Sequence, residues 1–343
     1  MKNFEYAYAK TEAEAIQLLS VANKSTAVLA GGTDLVALMQ SMVVAPDRVV
    51  NVGDIETMQH IKRDENNNLW IGAAVHLDEL LTSPVVDPFP SIKQVIQGIS
   101  SVQMQSQGTV AGELLRRPCC WYFRGGNGLL ANEGRMVIEG DNRYHAILGN
   151  RGPAKFVSAS RLAPAMISLG AKVRIIGPKP EQEQIVDIEN LFCTPEKTDE
   201  TEIALAAGQL VTHIILPPDQ GRLSAAYEVR HGEGPDQPLM AAAVRFEVLS
   251  GLVTESKIVL GQVAPTPWIA REAAMALLGR PINEETAAMA GMKAVSGAIA
   301  LSGNEYKIEL AKVAVKRAIL RAAGLETGCF ESSTCETAAV NFA

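Results

Sequence analysis

A pair of adjacent glycines near the N-terminus constrains this chain more than any other feature. The apolar run Thr26-Ala27-Val28-Leu29 leads through Ala30 into Gly31-Gly32-Thr33-Asp34, and a helical pattern begins at Leu35. A strand that enters such a turn and leaves it as a helix exposes unpaired backbone N–H groups, and only glycine lets a phosphate approach the backbone closely. The segment therefore predicts a strand–turn–helix unit with a phosphate-binding turn.

A second glycine turn follows in Gln107-Gly108-Thr109-Val110-Ala111-Gly112-Glu113-Leu114. Two such turns in one domain can hold a diphosphate from two sides, each directing N–H dipoles toward it. Taken alone, either turn is also compatible with an ordinary strand-to-helix connection. The pair predicts a dinucleotide site between residues 31 and 112.

The composition indicates a globular protein of more than one domain. The chain has 343 residues, of which 47% are hydrophobic, enough to bury a large core in two or three domains. With a net charge of −7 it lacks the clustered Lys and Arg of a nucleic-acid surface, which argues against a nucleic-acid partner. No apolar signal region and no run of ~20 apolar residues occurs, so we expect neither an export signal nor a membrane span.

The five cysteines, Cys119, Cys120, Cys193, Cys329 and Cys335, form no C-x-x-C pair. An odd number without that spacing favours free thiols in a reducing compartment over a disulfide framework or a zinc site. No metal ligand set is visible around the adjacent thiols 119 and 120. The cytoplasm is the expected compartment, and export of the folded chain with a signal-bearing partner is the alternative.

Helical and strand patterns alternate along the chain and predict an α+β protein. Thr11 is the expected N-cap of the first helix, and short strands and helices follow it. We predict one domain over 1–218, with subdomains of about 1–60 and 61–218, and a second domain over 219–343. The second domain is expected to hold a three-stranded antiparallel sheet and helices.

Four segments spread over nearly the whole chain carry a family resemblance. They are Ala30-Gly31-Gly32-Thr33-Asp34-Leu35, Gly108-Thr109-Val110-Ala111-Gly112, Ile258-Val259-Leu260-Gly261-Gln262-Val263-Ala264-Pro265-Thr266-Pro267-Trp268 and Asn304-Glu305-Tyr306-Lys307-Ile308. Together they resemble the FAD-binding medium subunit of the molybdenum hydroxylases, the family of xanthine dehydrogenase and carbon monoxide dehydrogenase. The resemblance implies a two-part FAD-binding domain of the PCMH or vanillyl-alcohol-oxidase-like type, followed by a carbon monoxide dehydrogenase flavoprotein-type C-terminal domain.

Two further segments are similar to an insertion found in the branch of the periplasmic aldehyde oxidoreductases. They are Arg117-Pro118-Cys119-Cys120-Trp121-Tyr122-Phe123-Arg124 and Asn142-Arg143-Tyr144-His145-Ala146-Ile147-Leu148-Gly149. We place this insertion at about 117–155. In that branch the insertion holds a [4Fe–4S] cluster through several cysteines.

The cysteines of that cluster are missing here. Only Cys120, with Cys119 beside it, stands at a ligand position, and the later positions fall in the thiol-free stretches 129–131 and 137–139 and at Ala154. One or two thiolates cannot complete a four-cysteine site. We therefore expect an insertion without a [4Fe–4S] cluster, in which Trp121, Tyr122 and Tyr144 pack to hold the loop and His145 is structural.

The resemblance implies an electron relay shared among subunits. A large partner carries molybdopterin and oxidises the substrate, a small partner carries two [2Fe–2S] clusters, and FAD on this chain delivers electrons to an acceptor. The expected assembly is a heterotrimer or its dimer. This chain then binds no organic substrate, and its contribution is to hold and tune the flavin.

By the same resemblance, the FAD contacts fall on the two glycine turns, on a Gly-Ala strand end and on a serine–arginine pair before a helix. No catalytic or metal-binding residue is assigned. The predicted cofactor-binding residues are Leu29, Ala30, Gly31, Gly32, Thr33, Asp34, Leu35, Gly72, Ala73, Thr109, Ala111, Gly112, Glu113, Leu114, Ser160, Arg161 and Leu162.

Four residues depart from the family pattern around the flavin and predict weaker FAD binding or its loss. A Cβ at Ala111 narrows the approach of a phosphate, and the carboxylate of Glu113 repels one. Arg161 and Glu228 each reverse the charge that the family carries at that position. Two roles stay open for Arg161: a contact with the diphosphate that offsets Glu113, or a bridge to Glu113 itself.

Two functions of different classes follow from these residues. The first is an FAD-binding electron-transfer subunit, and the second is a structural paralogue with a degenerate flavin site that serves as a scaffold between the small and large subunits. A free-standing flavoenzyme is a third class, but no nucleophile or acid–base pair supports it.

Overall fold

The computed structural model describes residues 1–232, 234 and 236–328. The strands are β1 (Glu5–Tyr8), β2 (Thr26–Leu29), β3 (Arg48–Asn51), β4 (Ile61–Arg63), β5 (Leu69–Gly72), β6 (Lys172–Ile176), β7 (Glu183–Asp187), β8 (Leu210–Leu216), β9 (Leu223–Val229), β10 (Met240–Leu249), β11 (Leu252–Gly261) and β12 (Trp268–Ile269). The α-helices are α1 (Glu12–Leu19), α2 (Leu35–Gln40), α3 (Leu77–Thr82), α4 (Pro90–Gln97), α5 (Val102–Gln107), α6 (Val110–Leu114), α7 (Trp121–Arg124), α8 (Arg135–Glu139), α9 (Leu162–Ser168), α10 (Arg271–Leu277), α11 (Glu284–Ala294) and α12 (Tyr306–Ala322). Single 3-10 turns occupy Glu56–Met58, Pro84–Val86 and Ile188–Leu191.

Three sheets organise the described chain, and the predicted α+β class is confirmed. The N-terminal sheet is parallel with the order β1-β3-β2, and the middle sheet is antiparallel with the order β4-β5-β8-β6-β7. The C-terminal sheet is antiparallel with the order β12-β11-β10-β9. It holds one strand more than the three predicted, because Trp268 and Ile269 pair with the end of β11 before the next helix begins.

The N-terminal sheet packs against the middle sheet through a shared apolar core. Helix α1, capped by Thr11 as predicted, buries Ala15 and Ile16 there. Ala73 and Leu210, from the ends of two strands of the middle sheet, join the same core. The two sheets are therefore in contact, and the two glycine turns lie beside this contact. No helix in the described ranges is long and apolar enough to cross a membrane.

A buried ion pair joins the middle of the chain to the C-terminal sheet. Arg161, just before α9, pairs with Glu228 of β9, with Nε 3.0 Å from Oε1, and the two side chains are only 2% and 7% exposed. The backbone N–H of Arg161 donates to Oε1 of Glu113 (3.3 Å), and Arg116 donates to Oε2 of Glu113 (3.2 Å). The two charge reversals recognised in the sequence therefore face each other and form one interaction.

Exchanging the two charges of this pair tests the contact. Arg161→Glu or Glu228→Arg alone places like charges together in the interior, and breaking a buried pair costs about 3–5 kcal/mol. We expect each single variant to lower the free energy of unfolding by about that amount, and the double variant R161E/E228R to recover most of the loss. Urea unfolding followed by circular dichroism measures it. A double variant as unstable as the two losses added together would contradict the pairing.

The helix start at 304–308 holds the backbone of residues 144 and 145. Lys307, 1% exposed, donates through Nζ to the carbonyl oxygens of Tyr144 (3.2 Å), His145 (3.1 Å) and Gln262 (2.6 Å). Asn304 donates to the carbonyl oxygen of His145 (3.1 Å). Burial lowers the pKa of Lys307 to about 7. Burial and the adjacent charge of Lys307 lower the pKa of His145 to about 4, so its imidazole is neutral in the folded protein near pH 7.

This low pKa makes the stability of the protein fall in acid. The unfolded chain protonates His145 near pH 6.5 and the folded chain only near pH 4. The contribution of the neutral imidazole to the free energy of unfolding is therefore fully present above pH 6.5. The free energy of unfolding then falls by about 3 kcal/mol as the pH drops to 4. The groups around the imidazole are Cys120, Trp121, Tyr122, Asp141 and Lys307. We expect His145→Gln to remove this part of the slope in unfolding measured from pH 7 to 4. Equal slopes in the two proteins would contradict the assignment.

Candidate cofactor site

The two glycine turns lie directly against each other. A Cβ added at Gly31 would lie 1.7 Å from the carbonyl oxygen of Gln107 and 3.4 Å from Cα of Gly108. Because no side chain fits in that space, only glycine is compatible with the contact. Gly32 has a φ of +71°, in the left-handed region that favours glycine. Both glycines of the first turn are therefore required by the backbone.

A cavity of about 350 Å³ opens beside the first turn. Its volume lies within the range of small-molecule sites, about 300–1,000 Å³. Backbone of both turns forms one part of its wall, and apolar side chains from the N-terminal and middle sheets form the rest. Those apolar residues include Val28, Leu38, Val44, Val52, Met58, Leu115, Leu205, Leu210 and Val211.

The first turn presents unpaired backbone donors to its surroundings. Within the described part of the chain, the N–H groups of Gly31, Gly32, Thr33 and Asp34 have no protein acceptor. The carboxylate of Asp34 is already occupied, since it accepts from Arg124 Nη2 (2.8 Å) and from the backbone N–H of Arg117 (3.0 Å). Successive unpaired N–H groups in a turn form a concave anion-binding surface. The geometry fits the diphosphate that the sequence predicts here.

The second turn differs from the expectation that it also directs free N–H groups toward a phosphate. Val110 and Ala111 donate to the carbonyl oxygens of Val75 (2.9 Å) and Ala73 (3.1 Å). Gly112 donates to the side chain of Thr109 (3.2 Å), and Glu113 to the Thr109 carbonyl (2.9 Å). These donors are used to anchor the turn on the middle sheet. The second turn therefore supplies wall surface rather than backbone hydrogen bonds.

The structure brings ten of the seventeen predicted residues together at the cavity. These are Ala30, Gly31, Gly32, Thr33, Asp34, Leu35, Ala73, Thr109, Ala111 and Gly112. The other seven do not line it. They are Leu29, Gly72, Glu113, Leu114, Ser160, Arg161 and Leu162.

Most of these outlying residues have structural contacts of their own. Gly72 lies so close to Met58 that an added Cβ would be 2.1 Å from the Met58 carbonyl oxygen. The side chain of Ser160 accepts the N–H of Ala163 (3.1 Å) at the start of α9. Burial raises the pKa of the Glu113 carboxyl, although Arg116 and Arg161 oppose the rise. Because Glu113 does not line the cavity, its position does not support the expected repulsion of a phosphate there.

Sequence reasoning missed several residues of the cavity. Arg117 lines it, and so do Leu205 and Gln209 from the segment that leads into β8. The sequence did carry a signal for Arg117, which is the second of two adjacent arginines and lies three residues after the second turn. No local signal marks Leu205 or Gln209, because they reach the site only through the pairing of β8 with β5.

An apolar cluster occupies two of the three places where the resemblance implies cluster ligands, residues 129–131 and Ala154. Leu130, Ala154 and Phe156 are buried together, and Leu129 and Cys120 pack against them. Among the described residues, no group of three or more His, Cys, Asp or Glu side chains could hold a metal. Cys329 and Cys335 lie outside the described residues. The surroundings of Cys120 therefore do not fit a [4Fe–4S] cluster.

The thiol of Cys120 is paired with a histidine. Sγ of Cys120 lies 3.1 Å from Nε2 of His145. Burial raises the pKa of the thiol, so it is protonated and can donate to the neutral imidazole. The ring of Trp121 meets Tyr144 and Tyr122 edge-on, at 5.5 and 6.1 Å between ring centres, as the predicted packing of the loop requires.

Two family models and several relatives match this chain. The model described as the FAD binding domain in molybdopterin dehydrogenase matches residues 2–219, and the CO dehydrogenase flavoprotein C-terminal domain matches residues 225–322. The aldehyde oxidoreductase FAD-binding subunit PaoB of Escherichia coli (strain K12) is 29% identical over 78% of this chain and 84% of its own length. The carbon monoxide dehydrogenase medium chain of Afipia carboxidovorans is 27% identical over 93% of this chain and 96% of its own.

Solved structures share the fold. The Cu,Mo-CO dehydrogenase in its cyanide-inactivated form superposes with a TM-score of 0.72 at 24% identity, covering 94% of this chain and 98% of that one. Quinoline 2-oxidoreductase from Pseudomonas putida 86 gives a TM-score of 0.71 at 23% identity, with coverages of 94% and 98%. The family model for the FAD-binding domain matches more than half of this chain. The chain therefore belongs to the FAD-binding medium subunits of the molybdenum hydroxylase family.

Proposed function

We propose that this chain binds FAD at the cavity beside the first glycine turn and acts as an electron-transfer subunit of a molybdenum hydroxylase-type complex. The observation that carries the proposal is the row of unpaired N–H groups at Gly31, Gly32, Thr33 and Asp34, which lines that cavity. The match of residues 2–219 to an FAD-binding family model supports it. When bound, FAD supplies a centre that is reduced and reoxidised in one- or two-electron steps.

The chain's own residues have separate tasks in this proposal. The N–H groups of the first turn hold the diphosphate, as successive N–H groups in a turn hold anions. Thr109, Ala111 and Gly112 form the adjoining wall, while Val52, Met58 and the other apolar side chains exclude water. Ala111 adds a methyl group to that wall, so we expect FAD to bind less tightly than it would with glycine there.

The remaining features of the complex are proposed from the relatives. These are named as FAD-binding subunits or medium chains of aldehyde and carbon monoxide oxidoreductases. We infer a small [2Fe–2S] partner and a large molybdopterin partner in a heterotrimer or its dimer. We also infer a domain boundary near residue 218 and an insertion over 117–155. The cytoplasm is the proposed compartment, with co-export by a signal-bearing partner as the alternative that cell fractionation separates.

A scaffold without flavin is the second candidate function. The observation that favours it is the second turn, whose N–H groups at 110–113 are all satisfied by the protein itself. A colourless chain that still assembles with its partners would support the scaffold. The two candidates differ in the visible absorption and extractable flavin of the co-purified complex.

Gly31→Ala tests the site itself. Its Cβ would meet the backbone of the second turn at 1.7 Å, which forces the turns apart and disturbs the N–H row. We expect the wild-type complex to contain FAD and the variant to lose most of it, measured by flavin release and absorption, with circular dichroism as a check of folding. Gly297→Ala is the matched control, since a Cβ there has open space around it. An FAD content in G31A equal to that of the control would refute this placement of the cofactor.

We further propose that this chain carries no [4Fe–4S] cluster. Metal analysis and electron paramagnetic resonance of the anaerobically purified complex are expected to show no iron beyond that of the partner's [2Fe–2S] centres. Cys120→Ser is expected to leave the iron content unchanged, because the thiol contacts His145 and an apolar core rather than other ligands. Additional iron that disappears in C120S would show that a cluster is bound here after all.

A further inference from the structure

The cavity beside the first turn is almost uncharged. Among its described lining residues, only Asp34 and Arg117 carry a charge. The negative charge of Asp34 is matched by Arg124, at 2.8 Å. Arg117 is therefore the single cationic side chain on the described wall, and it comes from the insertion rather than from either glycine turn.

Three neighbouring residues hold Arg117 in place. Its Nε and Nη2 donate to the two carboxylate oxygens of Glu202, the latter at 3.1 Å, and Glu202 is only 4% exposed. The guanidinium also lies over the ring of Phe123, 5.0 Å from the ring centre. Its backbone N–H donates to Asp34 of the first turn. The group is thus oriented before any ligand arrives.

One edge of the guanidinium stays available. Nη1 of Arg117 has no acceptor within the described part of the chain, whereas Glu202 occupies Nε and one Nη2 position. A planar guanidinium that is fixed on one edge offers its other edge to a phosphate in a defined direction. The side chain is 30% exposed, so a ligand can reach it.

We infer that Arg117 is the cation that binds the diphosphate of FAD. This inference rests on the proposed function. A diphosphate brings negative charge into a cavity where the second turn has no free N–H donors between residues 110 and 113. The N–H row of the first turn meets one side of that charge, and Arg117 meets the other. The insertion therefore completes the cofactor site, which gives it a task that does not require a metal cluster.

The test compares ligands with and without the diphosphate. The full chain, purified with its partners and stripped of flavin, is titrated with FAD, ADP and riboflavin, followed by flavin fluorescence or competition. We expect Arg117→Gln to weaken FAD and ADP by roughly 10- to 100-fold, the value of one charge-assisted hydrogen bond, and to leave riboflavin unchanged. Arg117→Lys keeps the charge without the paired geometry, so its affinity for FAD is expected to lie between those of the wild type and R117Q.

Two further variants serve as controls for the effect of R117Q. R117Q leaves Glu202 buried without a partner, so R117Q/E202Q removes both charges and is expected to show the same loss for FAD. Arg135→Gln removes an arginine that is 64% exposed and outside the cavity, and is expected to bind FAD like the wild type. FAD affinity unchanged in R117Q and in the double variant, or an equal loss for riboflavin, would overturn the role of Arg117. A wild-type complex that binds no FAD would instead overturn the proposed function.

Discussion

The close contact between Gly31 and the backbone of Gln107 is the constraint on which the candidate site depends. It fixes the first turn, at the end of β2, against the connection that leads into α6. The second turn is in turn tied to the middle sheet by the N–H groups of Val110 and Ala111. Because those donors already bind protein carbonyl oxygens, the N–H groups of the first turn are the ones left for an anion. The two turns look alike in sequence, yet the first leaves its N–H groups unpaired and the second uses its own to anchor the cavity wall.

The predicted insertion, residues 117–155, is connected to this contact through a carboxylate of the first turn. Asp34 accepts the N–H of Arg117 and the guanidinium of Arg124, so the start of this segment is fixed to the first turn. A later part of the same segment, at His145, is held by Lys307 and Asn304 from the C-terminal domain. A small apolar core of Leu130, Ala154 and Phe156 packs within this segment and just after it. Contacts from the first turn and from the C-terminal domain thus hold this segment at two places.

Local patterns predicted the local structure well. The strand–turn–helix at 26–40 and the cap at Thr11 depend on residues close in sequence, and the structure contains both. Contacts between residues distant in sequence were not predicted. Arg161 and Glu228 are 67 positions apart and Asp34 and Arg124 are 90 apart, so only the packing of the sheets brings them together. The sequence showed two charge reversals but not that one neutralises the other.

The same distinction bears on whether the flavin site is degenerate. Four departures from the family pattern suggested weaker FAD binding, but three of them lie outside the cavity: Glu113 and the Arg161–Glu228 pair form a buried network of their own. Charges that are paired and buried away from a ligand exert little force on it, since their fields largely cancel. Only Ala111 remains on the wall. A methyl group there narrows the cavity without removing any of the donors on the first turn, and this favours a working cofactor site over a decayed one.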